Sequence, residues 1–250
     1  MSLRLKFNCV MIAAFLVGMA LAAVFVNSLT QVTARRAVLS EAATMMAELN
    51  ATIHYTDTRV TPLLARPMKV QFIPDAIPFF AAQQTFDLLS KERPDYTLRQ
   101  PADNPTNPSD RPAPWEAEII ETLRAEPKLT TLTTERRSSA GVILSLSQPV
   151  RVDSDSCLVC HSTPQAAPPS MIDVYGTDNG FGWKRGDTVG AQIVSVPEQV
   201  AFTQARSNLI RIMSALAIVF AVMTVLLNVL LQVFIIAPVR RISRTSVRSL

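Results

Sequence analysis

The sequence predicts an α+β domain held between two long apolar helices. Three observations predict it. Residues 9–26 and 212–237 form long apolar runs, the first without a charge and the second interrupted by polar Ser214, Thr224, Asn228 and Gln232. A seven-residue helical rhythm follows the first run. Three strand-like segments then crowd the stretch between residues 129 and 196.

Each apolar run exceeds the roughly 18 residues at which an uncharged segment becomes a membrane-spanning candidate. A cleavable signal peptide competes for the first run, because Arg4 and Lys6 precede it and Ala20-Leu21-Ala22 is similar to a cleavage site. The apolar run and the helical pattern both continue past that site, which favours a retained anchor. Charge agrees with two spans. The chain carries a formal +4, yet residues 31–208 hold 17 Lys and Arg against 20 Asp and Glu, a net of −3. The other basic residues are Arg4, Lys6, Arg211, Arg240, Arg241, Arg244 and Arg248, and no acidic residue lies outside the central segment. All but Arg211 sit on the outer flanks of the runs, where the positive-inside rule puts cytoplasmic ends. Arg35 and Arg36 oppose this weakly. The basic balance therefore reflects topology and gives no reason to expect nucleic-acid binding.

The elements follow in order. Val32, Leu39, Met46, Ile53 and Val60 recur every seven residues, with Ala42 and Leu49 interleaved. Neither Gly nor Pro occurs in residues 19–61, so one long helix is expected to about residue 60, ended by Pro62 and Pro67. Its stripe serves core packing or pairing with its copy in a homodimer. A second helix is expected over 79–91, where Phe79, Phe80, Ala82, Phe86 and Leu89 share a face. Residues 94–114 contain six prolines and read as a long loop that wraps something. A third helix is expected over 115–123, with Trp115, Ile119, Ile120 and Leu123 on one side. Strands are expected over 129–136, over 141–152 with a break at Pro149, and over 188–196 up to Pro197. No internal repeat is visible.

The chemistry concentrates in Cys157-Leu158-Val159-Cys160-His161. Two thiols three positions apart, followed at once by a histidine, form the attachment signature of a c-type haem. The thiols add to the two haem vinyl groups as thioethers, and His161 supplies an axial nitrogen. One covalently bound haem c is expected. Its attachment takes place outside the bacterial cytoplasmic membrane. Residues 1–8 are then a cytoplasmic N-terminus, 9–30 and 209–236 transmembrane helices of a two-pass inner-membrane protein, 31–208 a periplasmic domain, and 237–250 cytoplasmic again. Zinc is a rival, but structural zinc wants four spaced ligands and adjacent Cys160 and His161 share one ion poorly. A thioredoxin-like pair would need a βαβ context that the pattern lacks. Cys9 lies in the first apolar run, so no disulfide pair remains once haem is attached; without haem, Cys157 and Cys160 could pair with each other.

The chain resembles a known family at several further places. They are His54-Tyr55-Thr56 with Val60 and Pro62-Leu63-Leu64; Pro78-Phe79-Phe80-Ala81-Ala82 and Phe86; Asn104-Pro105-Thr106-Asn107-Pro108; and Trp115-Glu116. After the haem motif come Ser162-Thr163-Pro164, Ala167-Pro168, Tyr175-Gly176, Gly180-Phe181-Gly182-Trp183 and Gly190-Ala191-Gln192. In order and spacing these resemble the PAS-like c-type haem sensor domains in the periplasmic parts of bacterial receptors. The resemblance implies a PAS-like antiparallel sheet with flanking helices, set between transmembrane helices. It also implies a cytoplasmic relay, often a HAMP unit feeding a kinase, cyclase or chemoreceptor module. Ala237-Pro238-Val239-Arg240-Arg241-Ile242 resembles the start of such a relay. Only 14 residues follow Ile236, so the output is expected beyond a truncation or on a partner protein.

The sixth iron ligand stays open. The chain has two histidines, and His54 lies on the long helix that feeds the membrane. His54 is a candidate ligand, a candidate hydrogen-bond donor in the pocket, or a surface histidine; in the family the residue type here varies, often arginine. Met45, Met46, Met68 and Met171 are weaker candidates. Tyr55, Asn104, Asn107, Trp115, Tyr175 and Trp183 are candidate pocket residues, with aromatic packing and turn capping as the alternatives. No nucleophile–base arrangement, phosphate-binding glycine loop or catalytic carboxylate pair stands out, so no enzyme is expected. The reading is a sensor of redox state or a small gas. A membrane-tethered cytochrome that only carries electrons is the alternative, and peroxidase chemistry lacks identifiable distal groups.

Overall fold

The computed structural model describes residues 3–139 and 141–237. They divide into two compact units, one within residues 35–201 and one of residues 3–34 with 202–237. The relay-like segment expected from residue 237 lies, beyond Ala237 itself, outside the described residues.

The first unit is a four-stranded antiparallel sheet with helices on both faces, an α+β arrangement. Helix α1 (Leu3–Tyr55) enters it at residue 35 and runs on through a π-helical turn, Thr56–Val60, into the single turn α2 (Thr61–Leu64). Thr61 Oγ1 lies 3.0 Å from Thr56 O of the widened turn and 2.7 Å from Ala76 O of a later 3₁₀ turn, within donating distance of either carbonyl. Pro67 then opens a short 3₁₀ turn, and α3 (Pro78–Leu89) follows. Strand β1 (Thr97–Arg99) is only three residues long and sits inside the proline-rich stretch expected to be loop. Helix α4 spans Pro114–Ala125, followed by β2 (Leu132–Ser138) and β3 (Gly141–Arg151). Two seven-residue helices, α5 (Asp155–His161) and α6 (Pro169–Tyr175), lead to β4 (Thr188–Pro197).

The strand order is β1-β4-β3-β2, which puts the first strand beside the last. Pro149 does not break β3; it stands opposite Ala191 of β4. The β2 ladder ends at Ser147, so beyond it β3 is an edge on that side, where a proline is tolerated. Side chains alternate between faces. Helix α4 covers one face: Ile119, Ile120 and Leu123 pack on Ala191 and Ile193, with Trp115, Leu129 and Leu132 around them. The carboxylate of Glu116 is buried there. It accepts from Arg99 Nε at 3.0 Å and from the Ala113 amide at 2.8 Å, so one acid closes both an ion pair and the start of α4.

Helix α1 covers the other face. Tyr96 Oη donates to Glu41 Oε2 at 3.0 Å, Asn50 Nδ2 donates to Gln148 Oε1 at 2.8 Å, and Arg35 pairs with Glu135. The buried positions of α1 are 34, 38, 42, 45, 46 and 49. This stripe overlaps the one in the sequence: Ala42, Met46 and Leu49 are shared, Val38 and Met45 join them, Val32 is exposed, and Leu39, Ile53 and Val60 are half-buried.

The second unit pairs the first part of α1 with α7 (Glu198–Leu230), which continues as a π-helical segment, Leu231–Ile236. Phe15 stacks on Phe220 with centroids 3.6 Å apart, and Asn228 Nδ2 donates to Asn8 Oδ1 at 3.0 Å. Residue numbers rise along one helix as they fall along the other, so the pair is antiparallel. Both helices are long and apolar enough to cross a membrane.

Ile120 is fully buried between α4 and the sheet, whereas Leu88 is 65% exposed. Ile120→Ala is expected to cost about 2–5 kcal/mol of stability through the lost contacts and the cavity left behind. Leu88→Ala should stay within about 0.5 kcal/mol of wild type. Denaturant midpoints at constant slope check both.

Candidate functional site

Helix α5 presents the Cys157, Cys160 and His161 side chains from one short helix. Ser154 caps it, accepting from the Ser156 amide at 3.2 Å. Cysteines three positions apart lie on neighbouring turns of one face. The segment between α6 and β4 closes over the other end. The Gly182 amide donates to Ser162 O at 3.0 Å and the Trp183 amide to His161 O at 3.2 Å, taking carbonyls that the helix itself leaves unpaired.

The His161 ring is fixed twice. Its Nδ1 lies 2.8 Å from Gly180 O, and the Trp183 indole stacks on it with centroids 3.9 Å apart and planes 16° from parallel. A carbonyl oxygen only accepts, so Nδ1 carries the proton and Nε2 keeps its lone pair. That is the tautomer in which Nε2 ligates a metal, with the second ring nitrogen held by a carbonyl. Burial pulls the His161 pKa below its ordinary value, opposed by the Gly180 carbonyl, so the ring is neutral near pH 7. Burial, and then proximity to Cys157, raises the Cys160 thiol. Gly180 has φ +86°, and a Cβ there would overlap Thr106 Oγ1. The Asn104–Pro108 stretch thus backs the loop that holds His161.

A second tie joins α5 to α1. Ser156 Oγ donates to Asp57 Oδ1 at 2.6 Å, and Ser154 Oγ lies 2.7 Å from Ser156 Oγ. Asp57 belongs to the π-helical turn, three residues after His54. The structure therefore brings the turn that follows His54 to α5. The His54 side chain is exposed, and among the described residues its ring makes no hydrogen bond or ion pair; its carbonyl accepts from Thr58 Oγ1 at 2.7 Å. Tyr55 is also exposed.

The other candidate residues separate. Asn104 and Trp183 line a cavity of about 390 Å³ together with Asp103, Arg124, Arg151 and Phe181. Asn107 caps a 3₁₀ turn by accepting from the Ser109 amide at 3.2 Å. Trp115 packs against the α4 core and carries the Arg136 guanidinium 4.5 Å above its ring. Tyr175 meets Phe72 edge to face at 5.4 Å. Met45, Met46 and Met171 are buried; Met68 Sδ accepts from the Ile73 amide at 3.1 Å. Sequence reasoning named neither Asp57 nor Ser156 as a site residue. Ser154-Asp155-Ser156 directly before the first cysteine is a helix-start signal that could have drawn attention to them. Among the described residues no three of His, Cys, Asp and Glu gather into a metal-binding cluster.

These features define a class: an antiparallel α+β domain, joined to long apolar helices, with a Cys-x-x-Cys-His helix clamped at its rim. Residues 30–197 match the Tll0287-like family, and the chain belongs to that family. Among solved structures it is similar in fold to the crystal structure of the cyanobacterial haem protein Tll0287. The TM-score is 0.51 at 16% identity, covering 64% of this chain and 94% of that one. No curated protein matches the chain.

With no metal on its ring, His161 makes stability depend on pH. The unfolded chain protonates this histidine below about pH 6.5, while the folded chain holds it neutral to lower pH. The unfolded state then binds more protons, so stability falls as pH drops from about 6.5 towards the folded value. His161→Gln is expected to flatten that part of the curve; equal slopes in both proteins would refute the assignment. Gly180→Val should destabilise the domain by about 1–3 kcal/mol, since it combines a disfavoured φ with a clash at Thr106.

Proposed function

We propose that this chain is a membrane-anchored periplasmic haem c sensor of redox state or a small gas. Cys157 and Cys160 are its covalent attachment points for one haem, and His161 is an axial ligand. The observation that carries the reading is the His161 ring, neutral, with Nδ1 tied to Gly180 O and Nε2 left to ligate. Its place at the end of a Cys-x-x-Cys-His helix, in a family that includes a haem protein, supports the same reading. Bound haem supplies a redox-active iron whose coordination can respond to a small molecule.

The chain's own residues do the rest. Trp183 and Gly180 keep the imidazole from rotating, and the loop bonds to His161 O and Ser162 O hold the C-terminal end of α5. Ser156 and Asp57 pass displacement of α5 to α1 at its π-helical turn, a kind of irregularity that is frequent at functional sites. His54, one turn away, is the candidate sixth ligand or a pocket donor.

Exposed Leu16, Leu21, Val24, Phe25, Ile218 and Val225 suit lipid better than water and support a two-pass membrane protein. Basic residues on the outer flanks support cytoplasmic termini. A sheet with its first strand beside its last, and with α1 and α3 on one face, supports the PAS-like reading. We further propose a homodimer paired through the membrane and juxtamembrane helices. A HAMP-like relay starting near residue 237 would lead to a cytoplasmic module in cis or on a partner, with no enzymatic activity in the haem domain.

Spectra of the oxidised and reduced protein, with and without carbon monoxide or nitric oxide, test the proposal. The wild type is expected to keep haem through denaturing electrophoresis, and Cys157→Ala with Cys160→Ala to lose it. Covalent haem surviving in that double variant would sink the central assignment. An unchanged spectrum in His54→Ala would remove His54 as a ligand.

A further inference from the structure

On the α1 face of the sheet, β1, β4 and β3 share one row of amides, while the polar side chains Thr133, Glu135 and Arg137 stand further along on β2. The β1–β4 register pairs Arg99 with Ile193, and it continues past the strand end: the Ala191 amide donates to Pro101 O at 3.0 Å and Ala102 bridges Gly190. Gln100 therefore stands opposite Gln192, and Gln192 opposite Gln148 on its other side. Alternation puts all three side chains on one face. That face is the one under α1, because Gln148 accepts from Asn50. Gln100 reaches α3 instead, its Nε2 lying 3.2 Å from both Phe79 O and Gln83 Oε1. The neighbouring row on the same face is Leu98, Val194 and Leu146.

Two atoms of the amide row are buried without a partner, Gln192 Nε2 and Gln100 Oε1. Gln192 is 4% exposed. A donor and an acceptor on adjacent strands would cancel by bonding each other, and they do not. Desolvating an amide without a partner is unfavourable, and an apolar side chain would fill the same space without that cost. The row lies where β3 is about to lead into α5 and where α1 runs from Asn50 through His54 to Asp57. Asn50, bonded to Gln148, and Asp57, bonded to Ser156 of α5, lie seven residues apart, so the row and the candidate site are fastened to the same stretch of chain.

We infer that Gln192 donates a hydrogen bond from Nε2 to an oxygen of the group held in this site. The inference rests on the haem reading. The shared chemistry is an electron-rich oxygen acceptor, and it has two sources: a propionate of the haem, or a diatomic ligand such as nitric oxide.

The test uses the full-length protein as wild type and Gln192→Met, which keeps the length and removes the donor. Covalent haem is verified in each. A shifted midpoint potential without added gas identifies the propionate. An unchanged potential with nitric oxide dissociation accelerated about fivefold, the worth of an ordinary hydrogen bond, identifies the diatomic ligand. Either result supports the inference. Unchanged potential and unchanged dissociation in a haem-loaded variant overturn it and leave the haem reading standing; a water satisfying the two amides would give that result. A wild type with no covalent haem overturns the haem reading itself. If Gln192→Met does not accumulate, Gln192→Asn, which withdraws the donor by one methylene, is read by the same criteria.

Discussion

The bond from His161 Nδ1 to the Gly180 carbonyl is the constraint on which the candidate site depends. It decides which imidazole nitrogen carries the proton, and so which one can ligate. It is also expensive to arrange. The carbonyl must reach a helix end nineteen residues earlier, through a backbone turn at φ +86° that glycine adopts without strain. That turn rests against Thr106, from a loop that itself lies across the ends of β1 and β4. One segment thus holds the ring, and a second one backs it. Trp183 stacks on the ring and also lines the neighbouring cavity, which makes it the side chain that most directly joins the imidazole to its surroundings.

Most of the fold was legible because its signals are local and repeated. The absence of Gly and Pro made α1 readable, and the strands β2, β3 and β4 stand close to their expected bounds. What was not legible was set by neighbours. β1 has three residues among prolines, too few to show a period, and exists because β4 offers it an edge. Pro149 looked like a strand breaker because the sequence cannot show where β2 ends. The stripe in the sequence included Ala42, Met46 and Leu49 of the buried face of α1 but not Val38 and Met45, because the sheet decides which flank of the helix turns inward.

The site divides in the same way. Cys157, Cys160 and His161 are adjacent in sequence, so their chemistry is written locally. Trp115, Tyr175 and Trp183 are of similar type and were equal candidates, yet only Trp183 meets His161. Trp115 serves the α4 core and Tyr175 meets Phe72, assignments made by which face each element turns inward. Asp57 was invisible as a site residue for the converse reason. An aspartate on a helix surface has nothing to distinguish it until a serine ninety-nine positions away arrives at hydrogen-bond distance.

The distribution of fastening along α1 bears on the proposed sensing. Between residues 34 and 49 the helix is held by a buried stripe, and rigid packing there resists sliding. From Asn50 onward the burial thins: Asn50, Ala51, His54 and Tyr55 are exposed, and the hydrogen bonds that tie this stretch to the sheet and to α5 are Asn50–Gln148 and Asp57–Ser156. The π-helical turn lies within the same stretch. Under the proposed sensing, a displacement of α5 would meet this sparsely buried stretch of chain first. It reaches the packed part only as far as those two polar ties outlast the adjustment of the π turn. If the chain senses as proposed, those two hydrogen bonds and the irregular turn would carry the response, with the hydrophobic stripe as the fixed reference.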